Sequence, residues 1–177
     1  MLLRLNYDFT IATELIHLKI DRGTKEYGMI GVDGVDIVLT MPKGFEFNSY
    51  TSQAWANTLL VKALRERAKV IFPRMVNVLA DQFHLRYGRV FVKDVSSRWG
   101  SCSELGNINL SLWLLLAPLH LVEYVVKHEL AHLNEMNHGP RFWSEVDRLC
   151  GGTQAGKKLE KEMKVFSRTL APMILKK

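Results

Sequence analysis

The feature that most constrains this chain is the run His128-Glu129-Leu130-Ala131-His132, with a further histidine, His138, close behind it. On a helix, residues i and i+4 lie one above the other, so His128 and His132 would direct their rings at the same point. Two imidazoles at that spacing suit a single zinc ion at Zn–N distances of about 2.0–2.1 Å. Glu129, offset by about 100° around the helix, would lie beside the metal and could act as general base toward water.

The motif has this chemical meaning only if it lies on a helix with a buried apolar face. Pro118 is typical of the first turn of a helix, where its missing N–H is not needed. Apolar residues then recur at helical spacing through the motif, namely Leu121, Val122, Val125, Val126 and Leu133. We therefore predict an amphipathic helix that begins near Pro118 and carries both histidines.

A catalytic zinc site needs a third protein ligand, with the fourth position left to water. His138 is the first candidate, because Gly139-Pro140 would end the turn that brings its ring back toward the helix. Glu135, one helical turn after His132, and the thiol of Cys102 are the alternatives. The spacing of these residues does not by itself choose among them.

The first fifty residues are predicted to form strands. Residues 14–20 alternate apolar and polar side chains, which is the period of a half-buried strand, and residues 36–40 are predicted to form a second strand. Gly34 supplies a turn signal before the second run. We predict a small antiparallel β-meander in residues 1–50.

The rest of the chain combines helices with a short hairpin. Residues 52–84 show helical periodicity, and Pro73 should kink that helix or divide it into two. Residues 107–111 alternate again and should pair with the strand before them across a turn at 103–106, directly ahead of the histidine helix. The predicted fold class is α+β, with the histidine helix packed beside a small antiparallel sheet.

Composition bounds the class of protein. The chain has 177 residues, of which 47% are hydrophobic, enough for the core of one ordinary domain. No run of about 18 uncharged apolar residues suggests a membrane span, and the N-terminal residues do not resemble a signal peptide. Only two cysteines occur. We therefore expect a cytoplasmic protein that does not contact membranes.

The formal net charge of +6 is compatible with an anionic partner, including nucleic acid. Four basic residues recur at steps of three and four in the last predicted helix and share one face: Lys157, Lys161, Lys164 and Arg168. A solvated helix face explains both observations and is favoured over a phosphate-binding surface. The sequence contains no signal for the oligomeric state.

Several separated blocks, in this order, resemble the YgjP-like zinc metallopeptidase family, which is similar to SprT-like and other small gluzincin-type peptidases. The blocks are residues 97–102 (SRWGSC), 106–110 (GNINL), 117–118 (AP), 124–133 (YVVKHELAHL) and 137–143 (NHGPRFW). The resemblance implies a zincin-like metallopeptidase domain, which we place at residues 51–177, preceded by the strand region at residues 1–50.

Carried over residue by residue, the resemblance implies that one zinc ion per chain is held by His128, His132 and His138, and that Glu129 is catalytic. It thereby favours His138 over Glu135 as the third ligand. The implied substrate is a peptide or protein, whose bond a metal-activated water would hydrolyse. The natural substrate cannot be read from the sequence.

Weaker expectations concern substrate binding. Tyr124 and Arg98 are candidates for stabilising the developing oxyanion. The strand around Asn109, in residues 107–111, is a candidate for binding an extended peptide by strand addition, unless it is already paired on both sides. Two other functions remain as alternatives: a DNA- or RNA-associated SprT-like protein, and a zinc-binding domain without catalysis. Retention of Glu129 argues against the latter, because a structural site needs only its ligands.

Overall fold

The structure is a computed structural model that describes residues 2–170 and Met173. Its first layer is a four-stranded sheet in the order β1-β2-β4-β3. The strands are β1 (Thr10–Ala12), β2 (His17–Arg22), β3 (Met29–Asp33) and β4 (Asp36–Met41). β1 and β2 pair antiparallel, as do β3 and β4, but β2 and β4 pair parallel.

The N-terminal strands therefore do not follow the order of the predicted meander. β4 rather than β3 lies beside β2, and the reason is visible in the burial pattern. In β4, Ile37, Leu39 and Met41 point into the core, whereas nearly every residue of β3 is exposed. Placing β4 inside the sheet buries its apolar face and leaves β3 at the edge.

Helix α1 (Tyr50–Gln82) is a single helix of 33 residues, so Pro73 does not divide it. Ser49 caps its N-terminus in a capping box with Ser52. A proline inside a helix costs about 3 kcal/mol. Phe72 and Val76, on either side of Pro73, are fully buried on the same face. Their burial, at about 1.5–3 kcal/mol each, offsets that cost and keeps the helix continuous.

The second sheet contains the predicted hairpin. Its strands are β5 (Val90–Lys93), β6 (Gly100–Cys102) and β7 (Ile108–Ser111), in the order β5-β7-β6. β6 and β7 pair antiparallel, whereas β5 pairs parallel with β7, so the sheet is mixed. β7 is thus hydrogen-bonded on both sides. The prediction that residues 107–111 accept a substrate strand is wrong, because the backbone groups it required are already used.

A buried 3-10 helix (Leu112–Leu116) leads from β7 to three further helices: α2 (Leu119–Ala131), α3 (Pro140–Cys150) and α4 (Ala155–Thr169). α2 packs against α1, α3, α4 and β6. Leu121, Val122, Val126 and Leu130 of α2 are buried in one continuous core. The α+β fold class is confirmed, and the helix that carries the histidines is held on several sides.

Over residues 2–170 and at Met173, no helix is both long enough and apolar enough to span a bilayer.

Candidate metal centre

The structure brings the three predicted histidines together. His128 lies in the last turn of α2 and His132 at its C-cap, with their ring centroids 5.2 Å apart. Nε2 of His128 lies 3.1 Å from Nε2 of His138. One ring nitrogen from each histidine falls within a set whose members are all within 4.8 Å of one another. Ligand nitrogens on one tetrahedral zinc ion are about 3.4 Å apart, so this spacing fits one ion.

His138 reaches the other two histidines through a tight turn. The Gly139 N–H donates to the Asn137 carbonyl at 2.7 Å, and Pro140 then begins α3. Proline at the first position of a helix has its φ already set for helical backbone. The turn reverses the chain within a few residues and returns His138 to the end of α2.

Phe142 of α3 forms a buried support beneath all three imidazoles. Its ring stacks on His132 at a centroid distance of 4.5 Å and meets the edges of His138 and His128 at 4.6 and 4.9 Å. The side chain is fully buried. Phe142 thereby contacts each of the three histidines.

Two of the histidine rings have partners on their far side. Nδ1 of His132 lies 3.1 Å from the Glu135 carbonyl. A carbonyl only accepts, so Nδ1 carries the proton and Nε2 keeps a free lone pair. Nδ1 of His128 faces the Tyr124 hydroxyl at 3.5 Å. Such outer contacts select the tautomer and orientation that a metal ligand requires.

Glu129 is buried beside this cluster. Its Oε2 has no hydrogen-bond partner among the described residues. Burial raises the pKa of the carboxyl to about 8, while the Arg98 guanidinium acts in the opposite direction. A buried carboxylate oxygen without a partner is costly unless a cation or donor lies nearby. The orphaned oxygen, on the residue that directly follows His128, fits a site built around a metal and water.

Gly100 of β6 closes over Glu129. A Cβ atom at Gly100 would lie 2.6 Å from Oε1 of Glu129 and 2.7 Å from its Cγ. Only glycine therefore lets the strand approach the carboxylate this closely. Sequence reasoning missed this contact, although a glycine inside a short strand is a signal for close approach.

The rival third ligands lie outside the cluster. The Glu135 carboxylate faces Arg141 at 3.9 Å. Sγ of Cys102 lies 3.5 Å from the Ser103 carbonyl, and burial raises the pKa of its thiol to about 11, with the charge of Glu129 adding to the effect. A zinc-bound cysteine must lose its proton, so this environment disfavours ligation by Cys102.

Burial, which disfavours Cys102 as a ligand, favours the histidines, because it keeps their rings neutral. Burial lowers the pKa of His128 to about 3, and the neighbouring His132 and His138 add to this effect. Burial also lowers the pKa of His132. Histidine binds metals in its neutral form, so these rings are kept in the state that can hold a cation.

The weaker site predictions fall in different places. Tyr124 is buried and touches His128. Arg98 is exposed, but its charge acts on Glu129. Asn109 pairs with Ser101, whose carbonyl and hydroxyl its amide contacts at 3.5 and 3.3 Å. Side chains alternate along a strand, so Asn109 lies on the sheet face opposite to the one on which Gly100 meets Glu129.

A family model described as "YgjP-like, metallopeptidase domain" matches residues 35–162, most of the chain. No curated protein matches the sequence.

Two crystal structures of metallopeptidase zymogens show a limited similarity. Abylysin of Pyrococcus abyssi is 22% identical, with a TM-score of 0.47, over 53% of this chain and 92% of that one. Jannalysin of Methanocaldococcus jannaschii is 20% identical, with a TM-score of 0.45, over 55% of this chain and 95% of that one.

Proposed function

Because the chain belongs to the YgjP-like metallopeptidase family, we propose that it hydrolyses peptide bonds with one zinc ion per chain, held by His128, His132 and His138. Glu129 is the general base in this proposal. The observation that carries it is the convergence of three imidazole nitrogens within 4.8 Å beside a buried carboxylate with an unpartnered oxygen. As a metallopeptidase the protein is a hydrolase that acts on peptides or proteins.

The choice of zinc rests on the donor set. Three imidazoles with one position left open form a common catalytic zinc site, whereas magnesium and calcium prefer oxygen ligands. When bound, zinc supplies a Lewis acid that polarises the scissile carbonyl and lowers the pKa of water toward about 7.

Glu129 moves the proton. The carboxylate accepts a proton from the attacking water at Oε2 and later delivers it to the leaving amine. A basicity above that of an ordinary glutamate suits this task, and burial provides it. The Arg98 charge acts against burial, lowers the pKa of this carboxyl and so favours its ionised form.

Tyr124 and Arg98 have different proposed roles. Tyr124 holds His128 through Nδ1 and so acts on the ligand rather than on the substrate. The exposed guanidinium of Arg98 is free to stabilise the oxyanion from the solvent side, since its charge already reaches Glu129. Asn109 acts indirectly, because its amide holds Ser101 and thereby the strand that faces the site.

The open edge of β6 replaces β7 as the place for an extended substrate. In the described part of the chain, β6 pairs only with β7. The Ser111 N–H donates to the Trp99 carbonyl, and hydrogen bonding to one partner alternates along an antiparallel strand. Gly100 and Cys102 therefore direct their N–H and C=O groups away from β7. A peptide added there would run past Glu129.

The test measures zinc and turnover together. Wild-type protein should bind about one zinc per chain and cleave a reduced, unfolded protein such as casein, with cleavage followed by mass spectrometry. His138→Ala should lose most of its zinc, and Glu129→Gln should keep zinc but lose turnover. His17→Ala, at an exposed histidine in the N-terminal sheet, is the matched control. Full zinc in His138→Ala would remove this residue from the site.

The alternatives receive no specific support. On α4, Lys164 is bonded to Glu160 at 2.8 Å, and Lys157 lies over the Trp143 ring at 4.5 Å. Binding of nucleic acid through this helix is therefore kept only as the alternative that is not favoured. We also propose the domain division that the sequence suggests, with the peptidase domain at residues 51–177 and a separate strand region at residues 1–50.

A further inference from the structure

A cavity of about 230 Å³ lies beside the candidate metal centre, between α2, α4 and the beginning of β6. His128 and Glu129 form one side of it. Because the general base borders the cavity, any side chain inside it belongs to a residue very near the bond that is cut. The mechanism above gives this space no role.

Most of the exposed wall of the cavity is apolar. The apolar part of the wall comes from Trp99, Val125, Met163 and the Tyr124 ring. Tyr124, Val125 and Met163 are each at most 5% exposed. Met163 comes from α4, the helix whose basic outer face drew attention in the sequence. An unbranched thioether side chain adapts its shape to apolar groups of different outline.

Except for Glu129, whose Oε2 takes the water proton in the proposed mechanism, the polar groups at the cavity are already satisfied. The Ser167 hydroxyl accepts a hydrogen bond from Nε1 of Trp99 at 3.0 Å and donates to the Met163 carbonyl at 2.8 Å. At the outer end, Nζ of Lys164 is bonded to the Glu160 carboxylate at 2.8 Å. A polar or charged side chain entering the cavity would lose water and gain no partner, which disfavours it.

The size of the cavity limits what enters. A closed apolar cavity of about 150 Å³ holds one benzene ring. At about 230 Å³, this cavity has room for a side chain of the size of leucine, methionine or phenylalanine, and glycine or alanine would leave much of it empty.

We propose that this cavity is the specificity pocket of the peptidase, and that it takes a large apolar side chain from one of the two residues flanking the scissile bond. Met163 sets its depth. The substrate class is therefore peptides with leucine, methionine or phenylalanine next to the cleaved bond. This inference rests on the proposed function, since it assigns the pocket of the same site.

The first test uses peptides. A sequence cleaved in unfolded casein is synthesised with leucine, tryptophan, glycine or aspartate at each flanking position. The wild type should prefer leucine over glycine and aspartate by at least about tenfold in kcat/KM at one position, the typical size of an apolar pocket effect. Met163→Ala should shift the ratio toward tryptophan by about tenfold, and Met163→Phe toward glycine. Met75→Ala, at a partly buried methionine of α1, should leave the ratio unchanged.

The second test does not depend on turnover. Wild-type protein with 13C-labelled methionine methyl groups is titrated with N-acetyl-leucine amide and, separately, with N-acetyl-aspartate amide. The Met163 signal, assigned from its loss in Met163→Leu, should shift with the leucine compound only. An unmoved Met163 signal would overturn the pocket assignment, as would turnover with no apolar preference. Failure of the proposed function would give a different result, because the protein would then bind no zinc and cleave none of the peptides.

Discussion

The described residues form two small sheets, each with a short strand at one edge, and only one of these edge strands packs against the helix that carries the histidines. β3 lies at the edge of the N-terminal sheet, with Val32 60% exposed. β6 lies at the edge of the second sheet, where Gly100 packs on Glu129. The two edges present similar backbone groups to solvent. What separates them is the helix behind the strand, because α2 carries the histidines and α1 carries no such cluster.

The largest expected difference between the two edge strands comes from adding one methyl group to a glycine in each. Gly100→Ala should lower kcat by about 100-fold while zinc stays bound, because a displacement of about 1 Å at a reacting group has effects of that size. The added Cβ would overlap Glu129 at 2.6 Å. Gly31→Ala in β3, whose Cβ would meet only the Val38 carbonyl at 4.0 Å, is the matched control. Steady-state kinetics and metal analysis measure both; equal activity of the two variants would contradict the role of β6.

A second pair separates support of the histidines from ordinary packing. Phe142→Ala and Phe72→Ala each remove a fully buried ring and should destabilise the fold by about 3–5 kcal/mol in denaturant unfolding. Only Phe142 touches the three imidazoles. Its loss should also weaken zinc binding by about tenfold or more in the fraction that remains folded. Equal zinc affinity in both variants would show that the ring orientation does not depend on Phe142.

The rate at which the Cys102 thiol of β6 is labelled depends on how close it lies to Glu129. Burial, with the added charge of Glu129, raises the pKa of Cys102 to about 11. The reactive thiolate is therefore scarce at pH 8, and iodoacetamide labelling of metal-free protein should accelerate about tenfold per pH unit up to pH 10. Glu129→Gln removes the nearby charge and should speed labelling of Cys102. Peptide mapping distinguishes this residue from Cys150, and an unchanged rate would place the carboxylate farther from the strand.

The smallest effects concern polar contacts. Ser167→Ala removes the partner of Nε1 of Trp99, which joins the start of β6 to α4. It should lower the free energy of unfolding by about 1 kcal/mol. In the N-terminal sheet, Lys19 and Asp21 form an ion pair at 2.9 Å with side chains 59% and 45% exposed. Lys19→Ala should change stability by less than about 0.5 kcal/mol, because exposed pairs are screened by water. A larger loss in Lys19→Ala than in Ser167→Ala would contradict this ranking.

Sequence reasoning succeeded where the signal is local. The helix through His128 and His132, the hairpin before it and the α+β class follow from periodicities of 3.6 and 2 and from glycine and proline signals. It failed on strand neighbours. The parallel pairing of β2 with β4, and of β5 with β7, is invisible to local pattern, because alternation shows which face is buried but not which strand lies beside it. The continuity of α1 through Pro73 depends likewise on burial against the rest of the protein.

At the candidate site, too, local features could be predicted from the sequence and contacts between distant segments could not. The sequence by itself determined the spacing of His128 and His132 and placed Glu129 between them, since helical geometry follows from neighbours a few residues apart. Only the tertiary structure decided that Gly100 closes on Glu129 and that Phe142 lies under the three rings. The tertiary structure also places α4 along one side of the cavity near Glu129. Ser167 of this helix is hydrogen-bonded to Trp99, which lies 68 positions earlier in the chain. Such contacts form when distant segments pack around one core, and no local period encodes that packing.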